Sequence, residues 1–444
     1  MLRITEDLNE ARSTILLRRP PEGASLPGSV RHKIVEVFGE DLSAGEVVAR
    51  IVGRVRRGGD AALRELTRLL DGAEPETLEV SRADIRAAYE RVSSPLVGSL
   101  RFAAERIQAF HARQMPRSWV DYEGSGALGQ IVRPLKRIGI YDPKGSAGYP
   151  SSLLMVAVPA KVAGVREVVL AAPPWEDGLP SPVTLVAADV AGVDRVFRIG
   201  GAQAIAALAY GTETVPRVDK IHGPGNVFVT LAKRQVSADV AVDQVAGPTE
   251  TLIVADDTAS PAWVAADLLA QAEHDPLASA ILVTTSRVLA EQVAAEVGRQ
   301  LPGLSRREIA EQSLARNGGA IVVPDLATAL ALADEYAPEH LCLSIAGAWS
   351  AVGLVRNAGG VFVGEQSPEA VGDYTAGPSH VMPTGGTARF SSPVNVWDFL
   401  KITSLFALSR EQVQAIGPAA VELAEAEGFT AHAAAIRMRL QAGN

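Results

Sequence analysis

The strongest constraint on the fold is a regular alternation of short apolar segments with longer segments of helical pattern. In the first half of the chain, strands are predicted at 136–141, 167–172 and 195–199, and helices at 153–162 and 182–191. Consecutive parallel strands need a crossover long enough for a helix, and the helices then cover both faces of the sheet. This part of the sequence therefore predicts an α/β fold with a parallel sheet.

The same alternation resumes in the second half of the chain. No sequence repeat relates the two series, so we predict two separate α/β units. The second series has strands at 251–255, 280–284 and 320–323, and helices at 262–273 and 287–300. Upstream of both, residues 42–115 have a helical and charged pattern, with helix starts predicted at Ser43, Gly58 and Ser81.

Length and composition restrict the class of protein. A chain of 444 residues is too long for one core and predicts about two to four domains. The net charge of -9, without a basic stripe, argues against nucleic acid as a partner. A single cysteine excludes an internal disulfide framework and fits a reducing compartment. Because no secretory segment or membrane-spanning apolar run is recognisable, we expect a soluble, cytoplasmic protein with no membrane partner.

Two glycine-rich turns in the first α/β unit favour a nucleotide site. The turn 223–226 precedes a helix predicted at 227–236, whose free N-terminal amides favour a phosphate. The dinucleotide fingerprint is incomplete, because Phe228 occupies the place of its third glycine. The stretch 139–146 resembles a phosphate-binding loop only in part, since Lys144 precedes its glycine instead of following it. For both turns, a tight structural turn without a ligand is the alternative.

Gln271 and His274 lie three residues apart at the end of the helical segment 262–273. This spacing places both side chains on one helix face, where an amide oxygen and an imidazole nitrogen can converge on one metal ion. An ordinary polar helix face is the alternative. We therefore treat the pair as candidate metal ligands.

A second pair, Glu339 and His340, stands where a helical segment passes into the apolar segment 341–345. We expect this junction at the mouth of the sheet, where α/β proteins bind ligands. Glutamate is suited to activating water, and histidine to transferring protons near neutral pH. Asp373 and His380 share one long polar loop further along the chain. For each histidine, a hydrogen-bonded surface position is the alternative.

Short sequence blocks spread over nearly the whole chain are shared, in order, with one known enzyme family. They are YPSS (149–152) with Met155, PAKVAG (159–164), GGAQAIAALA (200–209), GPGN (223–226), KRQV (233–236), AGP (246–248), QAEH (271–274), PEH (338–340), GDY (372–374) and EGFTAH (427–432). On these blocks the chain is identified as a member of the histidinol dehydrogenases, the enzymes of the last two steps of histidine biosynthesis.

The resemblance implies a reaction and its cofactors. The expected reaction is the four-electron oxidation of L-histidinol to L-histidine via histidinal, with NAD as hydride acceptor and one zinc ion per subunit. Imidazole nitrogens and hard oxygens with open coordination positions would hold histidinol by chelation. The implied zinc ligands are Gln271, His274, Asp373 and His432.

The resemblance also implies residue roles. His340 is implied as the base that takes the hydroxyl proton, and Glu339 as the residue that activates the water hydrating the aldehyde. NAD contacts are implied at Tyr141, Gln203 and Asn226. Substrate contacts are implied at Thr249, Gln271, His274, His340, Asp373, His380, Glu427 and His432.

The fold that the resemblance implies is α/β, with two incomplete Rossmann-like domains in a homodimer that exchanges an N-terminal arm and a C-terminal tail. The arm is predicted at 1–30 and the tail at 393–444. A first α/β domain, carrying the metal and catalytic residues, is predicted from 31–135 and 249–392. The second, NAD-binding domain is predicted at 136–248.

Some positions depart from the family pattern. Thr249 stands where serine is usual, Asp142 and Lys144 where a neutral turn is common, and His222 where an apolar residue is usual. One alternative is therefore the same fold and metal site acting on another small chelating alcohol, such as a sulfonated diol. A second is an aldehyde dehydrogenase with Cys342 as nucleophile, although its apolar neighbours favour buried packing. The retained catalytic pair and metal-ligand positions disfavour a non-enzymatic binding module.

Overall fold

The computed structural model describes residues 2–18, 26–144, 148–244 and 247–441, and within these ranges it contains three β-sheets. The strands are β1 (Ile4–Thr5), β2 (Trp119–Glu123), β3 (Gly126–Pro134), β4 (Arg137–Tyr141), β5 (Glu167–Ala171), β6 (Arg195–Phe197), β7 (Lys220–His222), β8 (Ala241–Val242), β9 (Glu250–Ala255), β10 (Ser279–Thr284), β11 (Gly319–Val322), β12 (His340–Ser344), β13 (Gly360–Val363) and β14 (Leu400–Ala407).

α-Helices lie on both faces of the two parallel sheets and also in the C-terminal part of the chain. They are α1 (Leu8–Ser13), α2 (Gly28–Phe38), α3 (Ala44–Leu66), α4 (Arg82–Ala88), α5 (Ser94–His111), α6 (Pro150–Val162), α7 (Pro182–Val190), α8 (Gly201–Tyr210), α9 (Val227–Val236), α10 (Pro261–Ala272), α11 (Arg287–Gln300), α12 (Arg307–Asn317), α13 (Leu326–Tyr336), α14 (Ala348–Val352), α15 (Glu369–Gly372), α16 (Arg410–Ala426) and α17 (Thr430–Gln441). Across the described ranges, no helix is long and apolar enough to span a lipid bilayer.

The larger sheet is parallel and has the strand order β1-β11-β10-β9-β12-β13. Alternate residues of its strands point to opposite faces, as strand geometry requires. Ile253 packs with α10, α11 and α12 on one face, whereas Leu252 and Val254 pack with α1 and α13 on the other. The α/β architecture predicted from the second series of segments is confirmed.

The second sheet is also parallel, with the order β6-β5-β4-β7-β8. One face packs against α4, α5, α6 and α7, and the other against α2, α3, α8 and α9. The helices between Ile34 and Ile107, which the sequence analysis grouped with 249–392, bury their side chains against this second sheet. An amphipathic pattern shows that a helix covers an apolar surface, but it does not identify that surface.

The N-terminal segment also differs from a separate arm. β1 pairs in parallel with β11 at the edge of the larger sheet, with Ile4 opposite Ala320. Ala11 and Ile15 are buried in the same core as α13. The remainder of the predicted arm includes 19–25, which lies outside the described residues.

The predicted tail begins against the core of the second sheet, which Val394, Val396 and Phe399 join, and continues on a three-stranded antiparallel sheet. β14 pairs with β3 along its whole length, from Leu400 opposite Pro134 to Ala407 opposite Ala127, and β2 lies on the far side of β3. α16 packs on α17, where Gly417 lets Leu440 approach closely. We refer to β2, β3, β14, α16 and α17 together as the tail unit.

The predicted helix starts at Ser43 and Ser81 are confirmed, because each serine caps its helix within a capping box. The helix start predicted at Gly58 corresponds to a bend within α3. α3 continues through this position but bends at Gly59, which has a φ of 51°. The carboxylate of Glu213 occupies the space that a Cβ at Gly59 would need, and it accepts a hydrogen bond from the amide of Asp60 at 2.7 Å. A glycine is required at this bend for both reasons.

Candidate active site

A buried acid–base pair lies at the beginning of β12. Glu339 is 7% exposed and His340 is 3% exposed. β12 pairs with β9, and His340 lies opposite Thr251, so polar residues at the starts of both strands meet. The pair is thus at the amino edge of the sheet, and the predicted position at the ligand-binding mouth, which is the carboxyl edge, was wrong. A residue between a helix and the following strand must lie at the amino end of that strand.

Two hydrogen bonds from the start of β9 hold the carboxylate of Glu339. The hydroxyl of Thr249 donates to Oε2 at 2.6 Å, and the amide of Glu250 donates to the same oxygen at 3.0 Å. Burial raises the pKa of Glu339 to about 7, against the opposing effects of His340 and these hydrogen bonds. A carboxyl group that titrates near neutral pH can both accept and return a proton during catalysis.

The ring of His340 is oriented by Thr251 and by a second buried carboxyl group, Glu369. Thr251 donates its hydroxyl proton to Glu369. The Nδ1 atom of His340 lies 3.4 Å from the hydroxyl oxygen of Thr251 and 3.4 Å from Oε1 of Glu369. Nδ1 therefore faces the oxygen atoms of two side chains that form hydrogen bonds. The Nε2 atom has no partner among the described residues and is free to accept a proton.

Glu369 was missed by the sequence reasoning. It is 5% exposed, and burial raises its pKa well above the usual range. It lies four residues before Asp373, at the start of α15, so both side chains can share one side of this turn. That spacing was the available signal. The short helix has no apolar periodicity that would have revealed it.

Two of the candidate metal ligands, His274 and Asp373, lie near His340. Gln271 is fully buried near the end of α10, and neither atom of its amide group has a hydrogen-bond partner among the described residues. Loss of solvent around the ring lowers the pKa of His274, which retains an exposed part, whereas the nearby Asp373 carboxylate opposes that shift. The neighbouring ring of His340 also lowers the pKa of His274. The structure therefore brings His274 close to Asp373 and to the catalytic pair.

His380 fixes the loop that carries Asp373. Its Nδ1 donates to the backbone oxygen of Asp373 at 2.6 Å, so Nε2 accepts from the hydroxyl of Ser152 at 3.1 Å. Ser379 also donates to the backbone oxygen of Met155, at 3.1 Å. Since both of these partners belong to α6, the loop connects this edge of the larger sheet with the α/β unit of the five-stranded sheet.

The last predicted metal ligand is in a different place. His432 is exposed on α17, where its ring lies 5.2 Å from that of Phe429. Glu427, a predicted substrate contact, is exposed at the end of α16. Across 2–18, 26–144, 148–244 and 247–441, no three His, Cys, Asp or Glu side chains lie close enough together to hold a metal ion. The structure does not bring His432 together with His274 and Asp373 in one chain.

The predicted NAD contacts gather at the carboxyl edge of the five-stranded sheet. Tyr141 ends β4, and its hydroxyl accepts from the amide of Gly201 at 3.1 Å. Gln203 donates to Asp71 at 3.1 Å, and Asn226 caps α9. β5 and β6 lie on one side of β4, and β7 and β8 on the other. This is the switch point at which open α/β sheets bind ligands.

A buried ion pair fixes the glycine turn between β7 and α9. Lys233 lies 2.6 Å from Asp243 and also donates to the backbone oxygen of Gly223. Asp243 in turn accepts from the amide of Gly223 at 2.8 Å. Gly223 has a φ of 121°, and a Cβ there would lie 2.0 Å from the backbone oxygen of Tyr141. This close approach explains the glycine independently of any ligand. The partial phosphate-binding loop predicted at 139–146 includes 145–146, which lie outside the described residues.

The positions that depart from the family pattern do not alter the catalytic pair. The hydroxyl of Thr249 donates a hydrogen bond to the carboxylate of Glu339. Asp142 is buried, accepts from Thr184 at 3.0 Å, and has its pKa raised to about 6 by burial. Lys144 lies over the ring of Trp175, at 5.2 Å. His222 is fully buried, with its ring 4.8 Å from that of Phe399.

Cys342 is buried in the apolar core beneath the larger sheet. Burial raises the pKa of its thiol well above the usual range, and the carboxylates of Glu369, Asp267 and Asp373 add to the effect. A nucleophilic cysteine needs the thiolate form. The environment of Cys342 therefore disfavours the aldehyde dehydrogenase alternative.

The fold and the site define an α/β enzyme that carries a buried glutamate–histidine pair at one sheet edge and a switch-point crevice on a second sheet. Residues 39–440 match the family model described as histidinol dehydrogenase. The chain is 51% identical to the histidinol dehydrogenase of Deinococcus radiodurans, over 98% of this chain and 99% of the relative. It is 53% identical to that of Moorella thermoacetica, over 88% and 93%. The chain belongs to the histidinol dehydrogenase family.

A solved structure supports the same assignment at the level of the fold. The histidinol dehydrogenase from Elizabethkingia anophelis superposes with a TM-score of 0.91 at 36% sequence identity. The match covers 99% of this chain and 98% of that structure. The family that the sequence blocks indicated is confirmed, together with its oxidoreductase class.

We expect Glu339→Gln to change the dependence of stability on pH. The folded protein retains a proton on Glu339 up to about pH 7, whereas the unfolded chain releases it near the ordinary value of 4.5. The stability that this proton contributes is complete below the unfolded pKa and is lost as the pH rises through the folded pKa. Glutamine cannot ionise. The variant should therefore gain stability relative to the parent protein as the pH rises from about 5 to about 8.

Urea unfolding at several pH values measures this difference. Glu335→Gln is the control, because Arg12 lowers the pKa of exposed Glu335, so its effect should be constant over the same range. A stability difference for Glu339→Gln that did not vary with pH would contradict the assigned protonation of Glu339.

Proposed function

We propose that this protein catalyses the zinc-dependent, NAD-linked four-electron oxidation of L-histidinol to L-histidine via histidinal. The observation that carries the proposal is the buried pair of Glu339 and His340 beside Gln271, His274 and Asp373, in a chain of this family. The curated relatives named above are histidinol dehydrogenases, which favours histidinol over a sulfonated diol as substrate.

The residues present fit a zinc ion. A buried amide without hydrogen bonds costs about 1–3 kcal/mol, and coordination of the Gln271 oxygen would offset part of that cost. His274 and Asp373 supply an imidazole nitrogen and a carboxylate oxygen, both common zinc ligands. We infer that these three residues hold the ion, with His432 as the fourth ligand. A bound zinc ion would orient histidinol through its imidazole and amino nitrogens.

His340 and Glu339 supply the proton transfers. The free Nε2 of His340 would accept the hydroxyl proton, while Thr251 and Glu369 hold the ring through Nδ1. Glu339 would accept a proton from the water that adds to the aldehyde, since its pKa is raised to about 7. Bound NAD would accept the hydride in each of the two oxidations.

The remaining residues would bind cofactor and substrate. We infer that NAD occupies the switch-point crevice next to Tyr141, Gln203 and Asn226. Thr249 and His380 would line the substrate pocket from within the same chain, because they contact Glu339 and Asp373 respectively. The proposed cytoplasmic location rests on the biosynthetic role of the family.

We infer further that the protein acts as a homodimer in which each tail completes the site of the other subunit. Large apolar side chains are exposed on the tail unit, among them Phe406 at 74%, Met438 at 71% and Tyr122 at 78%. Exposed apolar patches of this kind mark protein interfaces. His432 and Glu427 are exposed on the same unit, where a partner subunit can reach them.

The first test of the function is an assay with histidinol and NAD, before and after removal of metal by a chelator. Each histidinol should yield two NADH, chelation should abolish turnover, and added Zn²⁺ should restore it. A sulfonated diol offered in place of histidinol should not be oxidised. Full turnover by protein shown to be metal-free by mass spectrometry would refute the zinc dependence.

The second test separates the two members of the catalytic pair. Glu339→Gln should slow the oxidation of supplied histidinal more than that of histidinol, because only the aldehyde step needs activated water. His340→Asn should slow both steps, by about 10²–10⁴-fold, since each transfers a proton. Initial rates of NADH formation with each substrate measure the effects. Equal losses in both steps for Glu339→Gln would show that its role is assigned wrongly.

The third test concerns the shared site. His274→Ala and His432→Ala are each expected to be inactive, so the two are unfolded together and refolded in equal amounts. In a mixed dimer with exchanged tails, one site receives both lesions and the other receives none. Because random pairing makes about half of the dimers mixed, roughly one quarter of the parent activity should return.

The matched control is the pair His274→Ala and Asp373→Ala. Both lesions lie in the same part of the chain, so every site of a mixed dimer carries one of them and activity should not return. If the His274→Ala and His432→Ala mixture also stayed inactive, in a sample shown to contain mixed dimers, the exchanged tail would be excluded.

A further inference from the structure

Arg18 connects the N-terminal segment to three residues near the catalytic pair. Its Nε lies 2.6 Å from one carboxylate oxygen of Glu250, and its Nη2 lies 2.8 Å from the other. Nη2 also donates to the backbone oxygen of Ala337 at 3.3 Å. The guanidinium lies 3.8 Å from the ring centroid of Tyr336. A planar fork that makes two parallel bonds and stacks on a ring is a geometry available to arginine but not to lysine.

Both hydrogen-bonded partners of Arg18 adjoin Glu339. The backbone amide of Glu250 donates to the carboxylate of Glu339 at 3.0 Å. Ala337 precedes Glu339 by two residues and ends α13. Arg18 therefore holds the residue that donates to Glu339 and the segment of chain from which Glu339 extends.

The backbone at Ala337 needs such a restraint. Its φ is 49°, and no other non-glycine residue in the described ranges has a positive φ. A left-handed conformation costs an L-residue roughly 1–2 kcal/mol, so it persists only where neighbouring groups hold it. The amide of Ala337 donates to Ala333 at 2.7 Å, and its carbonyl accepts from Arg18. Both polar groups of this strained peptide are thus engaged, one of them by the N-terminal segment.

Because Glu250 is buried, the loss of its ion pair with Arg18 would destabilise the surrounding structure. The side chain of Glu250 is 5% exposed and that of Arg18 is 28% exposed. Without the guanidinium, a buried carboxylate would remain unpaired beside Glu339, which is destabilising and favours rearrangement of the start of β9. The donors from Thr249 and Glu250 to Glu339 both lie in that part of the chain.

We propose that Arg18 is a positioning residue for Glu339, acting through the side chain of Glu250 and the backbone of Ala337. The inference rests on the proposed role of Glu339 in activating water for the aldehyde step. The hydrogen bonds and the ring contact of Arg18 involve Glu250, Ala337 and Tyr336, and none of them involves His340. The loss of Arg18 should therefore impair the aldehyde step more than the alcohol step.

Arg12 supplies a matched control from the same segment. It forms an ion pair with Glu335 of α13 at 2.8 Å, as short as the pairs made by Arg18. The side chains of Arg12 and Glu335 are exposed, at 45% and 50%, and the pair has no contact with Glu339. Arg12→Met therefore removes another ion pair of the N-terminal segment without changing the surroundings of Glu339.

The experiment compares Arg18→Met, Arg18→Lys, Arg12→Met and the double variant Arg18→Met with Glu250→Gln, each as the full-length, zinc-loaded enzyme. Arg18→Met should lower kcat for supplied histidinal by roughly 10–100-fold, a part of the effect expected for the proton transfer itself. KM for histidinal and the rate with histidinol should change by less than about threefold, since binding and the His340 step are retained. Arg12→Met should match the parent in every measurement.

The other two variants distinguish positioning from simple loss of structure. Arg18→Lys keeps the charge but cannot make both planar bonds, so it should recover part of kcat. The double variant should also recover part of it, because the unpaired buried carboxylate is gone. If Arg18→Met does not fold, Arg18→Lys and the double variant carry the test, and both should show the same selective loss in smaller degree.

The outcomes separate this inference from the proposed function. If the parent enzyme does not oxidise histidinol, or Glu339→Gln has no selective effect on histidinal, the proposed function fails before Arg18 is considered. If Glu339→Gln is selective but the Arg18 variants slow both steps equally, or slow neither, the positioning role of Arg18 is overturned. Selective loss in Arg18→Met with partial recovery in the double variant confirms it.

Discussion

The parallel pairing of β9 with β12 is the constraint on which the active site depends. This pairing places His340 opposite Thr251 and brings the start of β9 against Glu339. A shift of one residue would turn every side chain of the strand to the opposite face of the sheet. The buried central position of both strands fixes the register, so the apolar core and the proton-transfer groups are specified by the same ladder of hydrogen bonds.

Burial gives the site its chemistry and also lowers its stability. Glu339 and Glu369 are held in the interior, where their charged forms are disfavoured and their pKa values are raised. Gln271 is buried with an unpartnered amide, and His340 with an unpartnered Nε2. A scaffold selected only for stability would not retain four such groups together. In our proposal, each of them binds a ligand or a proton.

The two α/β units contribute different sheet edges to the proposed active site. The five-stranded sheet offers the carboxyl edge at its switch point, whereas the six-stranded sheet offers the amino edge, where Glu339 begins its strand. The loop from Asp373 to His380 connects them, because His380 bonds to Ser152 of α6. In our proposals, the N-terminal segment acts on the surroundings of Glu339 through Arg18. The exposed tail reaches the site of the other subunit through His432. The site therefore depends on segments distant in sequence.

The sequence by itself determined the local elements and the family. Most of the strands and helices that apolar alternation predicted lie within one or two residues of the observed bounds, because side-chain periodicity is a property of each segment alone. Only the tertiary structure decided which sheet the helices between Ile34 and Ile107 cover, since an apolar helix face fits either sheet. It also revealed Glu369 and Arg18, which act through partners far away in the chain. Contacts of that kind arise from strand order and register, which no local pattern encodes.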